Sequence, residues 1–409
     1  LVWWIYLLFF LLRFLLYQSL HRHFFMILIT IMVQYSNFST DYKLSKGRMY
    51  TENEDFNRTC FMRDRDRIIH STAFRRLKYK TQVFVYHEKD YFRTRLSHSI
   101  EVSQLARSIS KVFNVNDDLS EAISLAHDLG HTPFGHAGED VLNKKMETIG
   151  GFNHNFQAIK ILTLLEKKYL NFDGLNLSFE TLDGILKHNG PINCQLPDYI
   201  NSVLEFFDAN KTNYGSFESQ ISAICDDIAY NNNDIDDGLY AGLFDIDQIS
   251  EIPIVDKVIN SIKFPNNDKK RFNYEVVRGL IKLMVDDLIV NTKENIKKNN
   301  INSYDQILNL NQNIVCFSDH IVDQESKLRN FLKNNMYEHA RVKRMTIKAK
   351  KIITDLFELF IDEPSLLPTE WRNFDNHDQK LTKVCDYISG MTDKYAINMH
   401  KKFFDLYNL

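Results

Sequence analysis

One helix dictates the architecture. The stretch "LSEAISLAHDLG", from Leu119 to Gly130, is apolar on nearly every side through Leu119, Ala122, Ile123, Leu125, Ala126 and Leu129. A helix without a polar face must be buried among other elements. The neighbouring segments supply helical partners. "RTRLSHSIEVSQLARSISKVF" (Arg93 to Phe113) has helical periodicity, with Leu96, Ile100, Leu105, Ala106, Ile109, Val112 and Phe113 as its apolar side. "NVNDD" interrupts it, and Asp118 with Glu121 has capping-box spacing for the central helix. Gly130 is expected to end that helix and Pro133 to prevent its resumption. "NHNFQAIKILTLLEKKYL" and "FESQISAICDDIAY" are amphipathic as well. With 14 Gly and 7 Pro in 409 residues there is little turn material for a β protein, so the expected class is all-α.

Three polar stretches, "NNNDIDDG", "FPNNDKKR" and "NTKENIKKNNINS", read as surface loops, and "EHARVKRMTIKAKK" reads as a solvated helix face. Arg63, Arg65 and Arg67 alternate with Asp64 and Asp66 and read as an exposed, salt-bridged helix. The net charge of −3 gives no general attraction to nucleic acid or to an anionic membrane, so an anion site must come from local basic residues. Five scattered cysteines without a C-x-x-C pair exclude a zinc ribbon and suggest free thiols in a reducing, cytoplasmic compartment. Residues 1–31 form an apolar leader. It is either a membrane segment, approaching the ~20 residues that span a bilayer, or a non-native extension ahead of Met32, which is the favoured reading.

Chemistry concentrates in "HDLGHTPFGHAGE", His127 to Glu139. An ionised Asp128 beside His127 at the end of a buried helix needs a partner, and a divalent cation is a good one. His98 on the preceding helix and Asp226 within "ICDDIAY" are plausible further ligands. Two imidazoles and two carboxylates suit an octahedral Mn²⁺, Mg²⁺ or Fe²⁺ better than Zn²⁺.

With these residues in place, the chain resembles the HD superfamily, and more closely its deoxynucleoside triphosphate triphosphohydrolases, the dGTPase-like family. The resemblance runs from Arg63 to Ala396 through "RDRDRIIHSTAFRRLKYKTQVF", "RTRLSHSIEVSQLARSI", "AHDLGHTPFGHAGE", "GGFNHN", "LKHNGP", "DDIAYNNNDIDDGL" and "GMTDKYA". It implies an HD-domain helical core over 46–240. The additional C-terminal helices over 241–409 would complete the nucleotide site and the oligomer contacts. The implied reaction converts a dNTP, dGTP or others, to deoxynucleoside and inorganic triphosphate. The implied metal ligands are His98, His127, Asp128 and Asp226.

The resemblance assigns His136 and Glu139 as an acid–base pair and His154 as a further active-site histidine. Arg95, one turn before His98 on the same face, matches a phosphate-binding arginine; His131 and Lys187 are further phosphate candidates. Gln82 and Asp234 would bind the 3′-hydroxyl, and Tyr230 would pack under the deoxyribose. Asp226 and Tyr230 share a helix face; Asp234 continues it only if the helix persists through "NNN". Asp227 stands where some relatives carry a basic or a longer acidic residue. The implied partners are a dNTP substrate, a second dNTP as activator and further copies of the chain, with nucleic acid not indicated and a membrane only if 1–31 is native. The competing readings are another HD phosphohydrolase, such as a nucleotidase or phosphodiesterase, and a nucleotide sensor without turnover.

Overall fold

The computed structural model describes residues 35–406 apart from 54, 85–90 and 264–267. The apolar leader 1–31 and part of "FPNNDKKR" lie outside the described residues. The principal helices are α1 (Cys60–Ile69), α2 (Arg95–Phe113), α3 (Asp117–Ala126), α4 (His136–Lys145), α5 (His154–Lys160), α6 (Phe179–Leu186), α7 (Phe217–Ala241), α8 (Lys269–Lys298), α9 (Asp319–Leu332), α10 (Ala340–Asp362), α11 (His377–Ser389) and α12 (Asp393–Phe404). Among the described residues there is no β-strand, only isolated bridges, of which Thr81–Thr94 is one. The fold is all-α, and none of the described helices is long and apolar enough to cross a membrane.

Helix α3 is the hub, packed against α1, α2, α6 and α7. Every residue from Ala122 to Gly130 is buried. Burial of a side chain such as Leu119 or Ile123, both fully enclosed, contributes about 1.5–3 kcal/mol. Small hydroxyl residues let the helices approach: Ser120 pairs with Ser110 of α2 at 2.7 Å and Ser124 with Ser222 of α7 at 2.9 Å. One apolar cluster surrounds α3, and a second joins α2 and α7 to α8 and α9. A third binds Phe134 and Leu142 to Ile353, Phe357, Val384 and Ile388, so the C-terminal helices share a core with the segment around α4.

Several local expectations change. The cap of α3 is Asn116, whose side chain accepts from Leu119 N, while Asp118 and Glu121 face Arg65 at 3.3 and 3.5 Å. Helix α3 ends at Ala126, before Gly130. Gly130 is required instead by packing, because a Cβ there would lie 1.9 Å from the carbonyl oxygen of His154. The buried stripe of α2 is polar-rich, comprising Arg95, His98, Ser99, Val102, Ser103, Ala106, Ile109, Ser110 and Phe113. Ile100 and Val112 are exposed instead.

Arg63, Arg65 and Arg67 are ion-paired as expected, but none is exposed. Arg67 is buried and donates to the carbonyls of Leu175 and Asn176. The basic stretch of α10 is a solvated face, with Lys343, Arg344, Lys348 and Lys351 exposed. "NNNDIDDG" is no loop: it lies inside α7, and Asn231, Asn232, Asn233 and Asp234 are all buried. "NTKENIKK" likewise completes the long helix α8.

Candidate active site

The end of α3 meets α2 and α7 at a cluster of imidazoles and carboxylates. His98 projects from α2 and places Nε2 2.7 Å from Asp226 Oδ1 on α7. His127 follows the last residue of α3, and its Nε2 lies 3.6 Å from the same oxygen and 3.5 Å from Asp128 Oδ1. The ligand atoms of His98, His127 and Asp226 all lie within 4.8 Å of one another, which is compatible with a single ion. His127 Nδ1 sits 2.6 Å from the Ser124 carbonyl, which can only accept, so Nδ1 carries the proton. In a neutral ring Nε2 is then a free lone pair aimed into the cluster, the usual arrangement of a metal-ligating histidine.

Electrostatics point the same way. Burial opposes protonation of His127, yet Asp128 and Asp226 push its pKa up to about 9. Burial also opposes ionisation of Asp226, but His127, His188 and His98 hold it well below the usual carboxylate range. A proton on His127 therefore occupies the place that a cation would take. His127 Nε2 and Asp128 Oδ2 are buried without a hydrogen-bond partner among the described residues, a costly arrangement that a metal relieves. The structure brings together two imidazoles, His98 and His127, and one carboxylate, Asp226, while Asp128 stands beside them engaged by Arg95 and His131; such a mixed N/O set suits a divalent cation.

A second cluster adjoins the first. His131 reaches Asp128 Oδ1 at 3.1 Å and stacks on His154 with ring centroids 4.0 Å apart. Glu139, in the first turn of α4, accepts from both the backbone N–H of His154 (3.1 Å) and its Nδ1 (2.8 Å). His136 also faces Glu139, more loosely at 3.6 Å, and its side chain is 66% exposed. The closer partner of Glu139 is thus His154, which the sequence reading did not pair with it. Burial raises the Glu139 pKa, but the bonds to His136 and His154 outweigh it and hold the carboxyl well below its ordinary range. Burial, reinforced by Arg95 and His154, keeps His131 well below the usual histidine value and hence neutral. The intervening "TPFG" turn uses left-handed backbone at Phe134 (φ 62°) and Gly135 (φ 56°). Gly135 is further constrained because a Cβ there would stand 2.9 Å from the Arg95 guanidinium.

The remaining candidates distribute around these clusters. Arg95 is buried, with one guanidinium nitrogen 2.8 Å from Asp128 Oδ1. Gln82 is buried near Gly135, and its side-chain oxygen lacks a partner among the described residues. Helix α7 persists through its three asparagines, so Asp226, Tyr230 and Asp234 form one stripe. The Tyr230 ring lies 6.4 Å from that of His98. Lys187 stands apart from this network, its ammonium 2.8 Å from buried Asp183. Asp227 pairs with Arg329 of α9 at 2.7 Å, so a basic group is present beside it from another helix.

Sequence reasoning missed three residues. His188 stacks on His127 with centroids 5.0 Å apart and places Nε2 3.3 Å from Asp226 Oδ2. Its occurrence in "LKHNGP" was the available signal. Tyr337, on the π-helical turn after α9, donates its hydroxyl to Asp234. Lys80, fully buried, donates to the carbonyls of His131 and Ser389. Only the tertiary fold brings Tyr337 and Lys80 to the site.

Such a site in a helical core defines the class. Residues 95–230 match the HD domain and residues 315–402 match the phosphohydrolase-associated domain, so this is an HD-domain phosphohydrolase, a metal-dependent type of hydrolase. The chain is 47% identical over 382 residues to a deoxyguanosinetriphosphate triphosphohydrolase-like protein of Parvibaculum lavamentivorans, covering 91% of this chain and 96% of that protein. Similar proteins of the same description occur in Caulobacter sp. (44%; 90% and 96% covered) and Mesorhizobium japonicum (43%; 90% and 94% covered). The chain belongs to the deoxyguanosinetriphosphate triphosphohydrolase-like family of HD phosphohydrolases.

Proposed function

We propose that the protein hydrolyses deoxynucleoside triphosphates, dGTP and other dNTPs, to the deoxynucleoside and inorganic triphosphate. The observation that carries this reading is the junction of the two clusters. The unpartnered His127 Nε2 and Asp128 Oδ2 lie beside the His131–Glu139–His154 group, and the Tyr230–Asp234 stripe continues from Asp226 along α7. The names of the relatives point to the same substrate class.

His98, His127, Asp128 and Asp226 would hold Mg²⁺, Mn²⁺ or Fe²⁺, which when bound supplies Lewis acidity at the α-phosphate and a template for water. Arg95 balances phosphate charge through the guanidinium nitrogens it does not spend on Asp128. The one N–H of neutral His131 is on Nε2, facing Asp128 Oδ1, and serves the same phosphate when it turns from that carboxylate. Glu139 stays ionised and fixes His154 and His136, one of which protonates the departing 5′-oxygen or takes a proton from water. Exposed His136 exchanges that proton with solvent readily; stacked His154 holds the tighter geometry. Gln82 and Asp234 bind the 3′-hydroxyl, and the Tyr230 ring excludes a 2′-hydroxyl. The chain works as a homo-oligomer in the cytoplasm, and a second dNTP acts as activator.

The test is product analysis with each dNTP, alone and in pairs, in Mg²⁺ or Mn²⁺. Equimolar triphosphate and deoxynucleoside support the reading. Orthophosphate or pyrophosphate as the first product would assign the site to a nucleotidase or phosphodiesterase instead.

A further inference from the structure

The "GMTD" segment before α12 lies far along the chain from the site residues on α2 to α7, and the reaction outlined above does not use it. We propose that Asp393 in this segment is a positioning residue for the turnover machinery. It would be a clamp through which the C-terminal helices fix the turn that delivers His136 and Glu139. The proposal rests on the triphosphohydrolase reading for its effect on rate, and on geometry alone for the clamp itself.

Asp393 is the first residue of α12, and its side chain is fully enclosed. Its two oxygens hold two separate loops. Oδ1 accepts from the backbone N–H of Phe134 at 2.9 Å. Oδ2 accepts from the backbone N–H of Thr81 at 2.9 Å and also from the Thr81 hydroxyl. Phe134 is the left-handed residue of the turn ahead of α4. Thr81 adjoins Gln82 and bridges to Thr94, the N-cap of α2, while Lys80 O accepts from Arg95 N at 3.1 Å. One carboxylate therefore ties together the N-terminus of α2, the Gln82 segment and the turn into α4. Lys80 adds a parallel tie, joining the His131 carbonyl to the Ser389 carbonyl at the end of α11.

The arrangement is one of shared backbone donors. Phe134 N–H and Thr81 N–H lie in buried segments and need acceptors, and Asp393 is the acceptor of both. A turn with two successive positive φ values is held by what surrounds it, because its own backbone preference is unfavourable at Phe134. Asp393 touches none of the residues assigned to the metal, and α2, which carries His98, is held along its length by α3 and α7, so the loss of Asp393 moves the acid–base group more than the metal site.

Three variants test this: Asp393→Ala removes both acceptors, Asp393→Asn keeps one, and Thr81→Val removes only the hydroxyl bond. Helical content by circular dichroism and Mn²⁺ affinity by calorimetry accompany steady-state kinetics and hydrogen exchange. The expected result is a graded fall in kcat, on the order of 10²-fold for Asp393→Ala because small misplacements of catalytic groups have effects of that size. Asp393→Asn falls less and Thr81→Val least, with the Mn²⁺ Kd unchanged. Exchange in the peptide 131–139 rises in Asp393→Asn, while the peptide 217–230 of α7 exchanges as in the wild type. Wild-type exchange across 131–139 in Asp393→Asn, unaltered kcat in it, or a loss of Mn²⁺ binding in step with kcat overturns the proposal. If the wild type releases no triphosphate, the substrate reading fails, and the exchange data still decide the clamp.

Discussion

Replacing Asp234 with Asn should stabilise the protein increasingly as pH rises. Asp234 is buried on α7, accepts the Tyr337 hydroxyl, and has no cation bonded to it among the described residues, because Arg93 is paired with Asp236 and Asp237. Burial pushes its carboxyl up to about 8 from an ordinary 3.8. Between those values the unfolded chain has lost the proton and the folded chain keeps it. The unfolded state then binds fewer protons, so unfolding becomes easier as pH increases. The slope approaches 1.4 kcal/mol per pH unit, or about 3 kcal/mol between pH 5 and pH 7. Above about pH 8 both states are ionised and no further loss accrues. Asn has nearly the same shape and no such proton, so the wild-type penalty disappears from its profile. Urea unfolding of the two proteins at about pH 5, 6 and 7 without metal reads the difference directly. A gap that widens in favour of the variant is expected; parallel profiles would mean that Asp234 is ionised in the folded protein and that the burial argument is wrong.

Other expectations follow from the site. His127→Ala should abolish Mn²⁺ binding by calorimetry together with turnover, and stoichiometric metal in the variant would remove His127 from the ligand set. Glu139→Gln should keep the metal and lower kcat by about 10²–10⁴-fold, the range of a general acid–base contribution; full turnover would contradict its role. Gly130→Ala forces a methyl into the space held by the His154 carbonyl, so it should destabilise by about 1–3 kcal/mol, as overpacking does. An unchanged denaturation midpoint would show that α5 can move aside.

The central helix was legible because an all-round apolar segment has one stable environment, and the structure buries it as expected. The convergence of His98, His127 and Asp226 was legible through a rare combination: a His–Asp pair at a buried helix end, with a histidine and an aspartate on flanking helices. The polar face of α2 was not, since its buried stripe is made of Arg95, His98 and serines that hydropathy counts as surface. The asparagines of α7 misled for a related reason. Asn231 looks like loop until Glu325 of α9 arrives 2.8 Å away to bond it, and that partner is known only once the chain has folded. Lys80, Tyr337 and Asp393 share this property. Each acts through a neighbour remote in sequence, and local periodicity carries no trace of such a contact. The closer contact of Glu139 with His154 is also tertiary, because the i,i+3 spacing of His136 and Glu139 shows one partner and only the packing of α5 adds the second.

The most direct measurement is the product formed from dGTP by the purified, Mn²⁺-loaded protein, resolved by ion-exchange chromatography before and after His127→Ala. The account predicts deoxyguanosine and inorganic triphosphate in equal amounts from the wild type and neither from the variant. Release of orthophosphate or pyrophosphate from the wild type, or triphosphate release that survives the loss of His127, would contradict it.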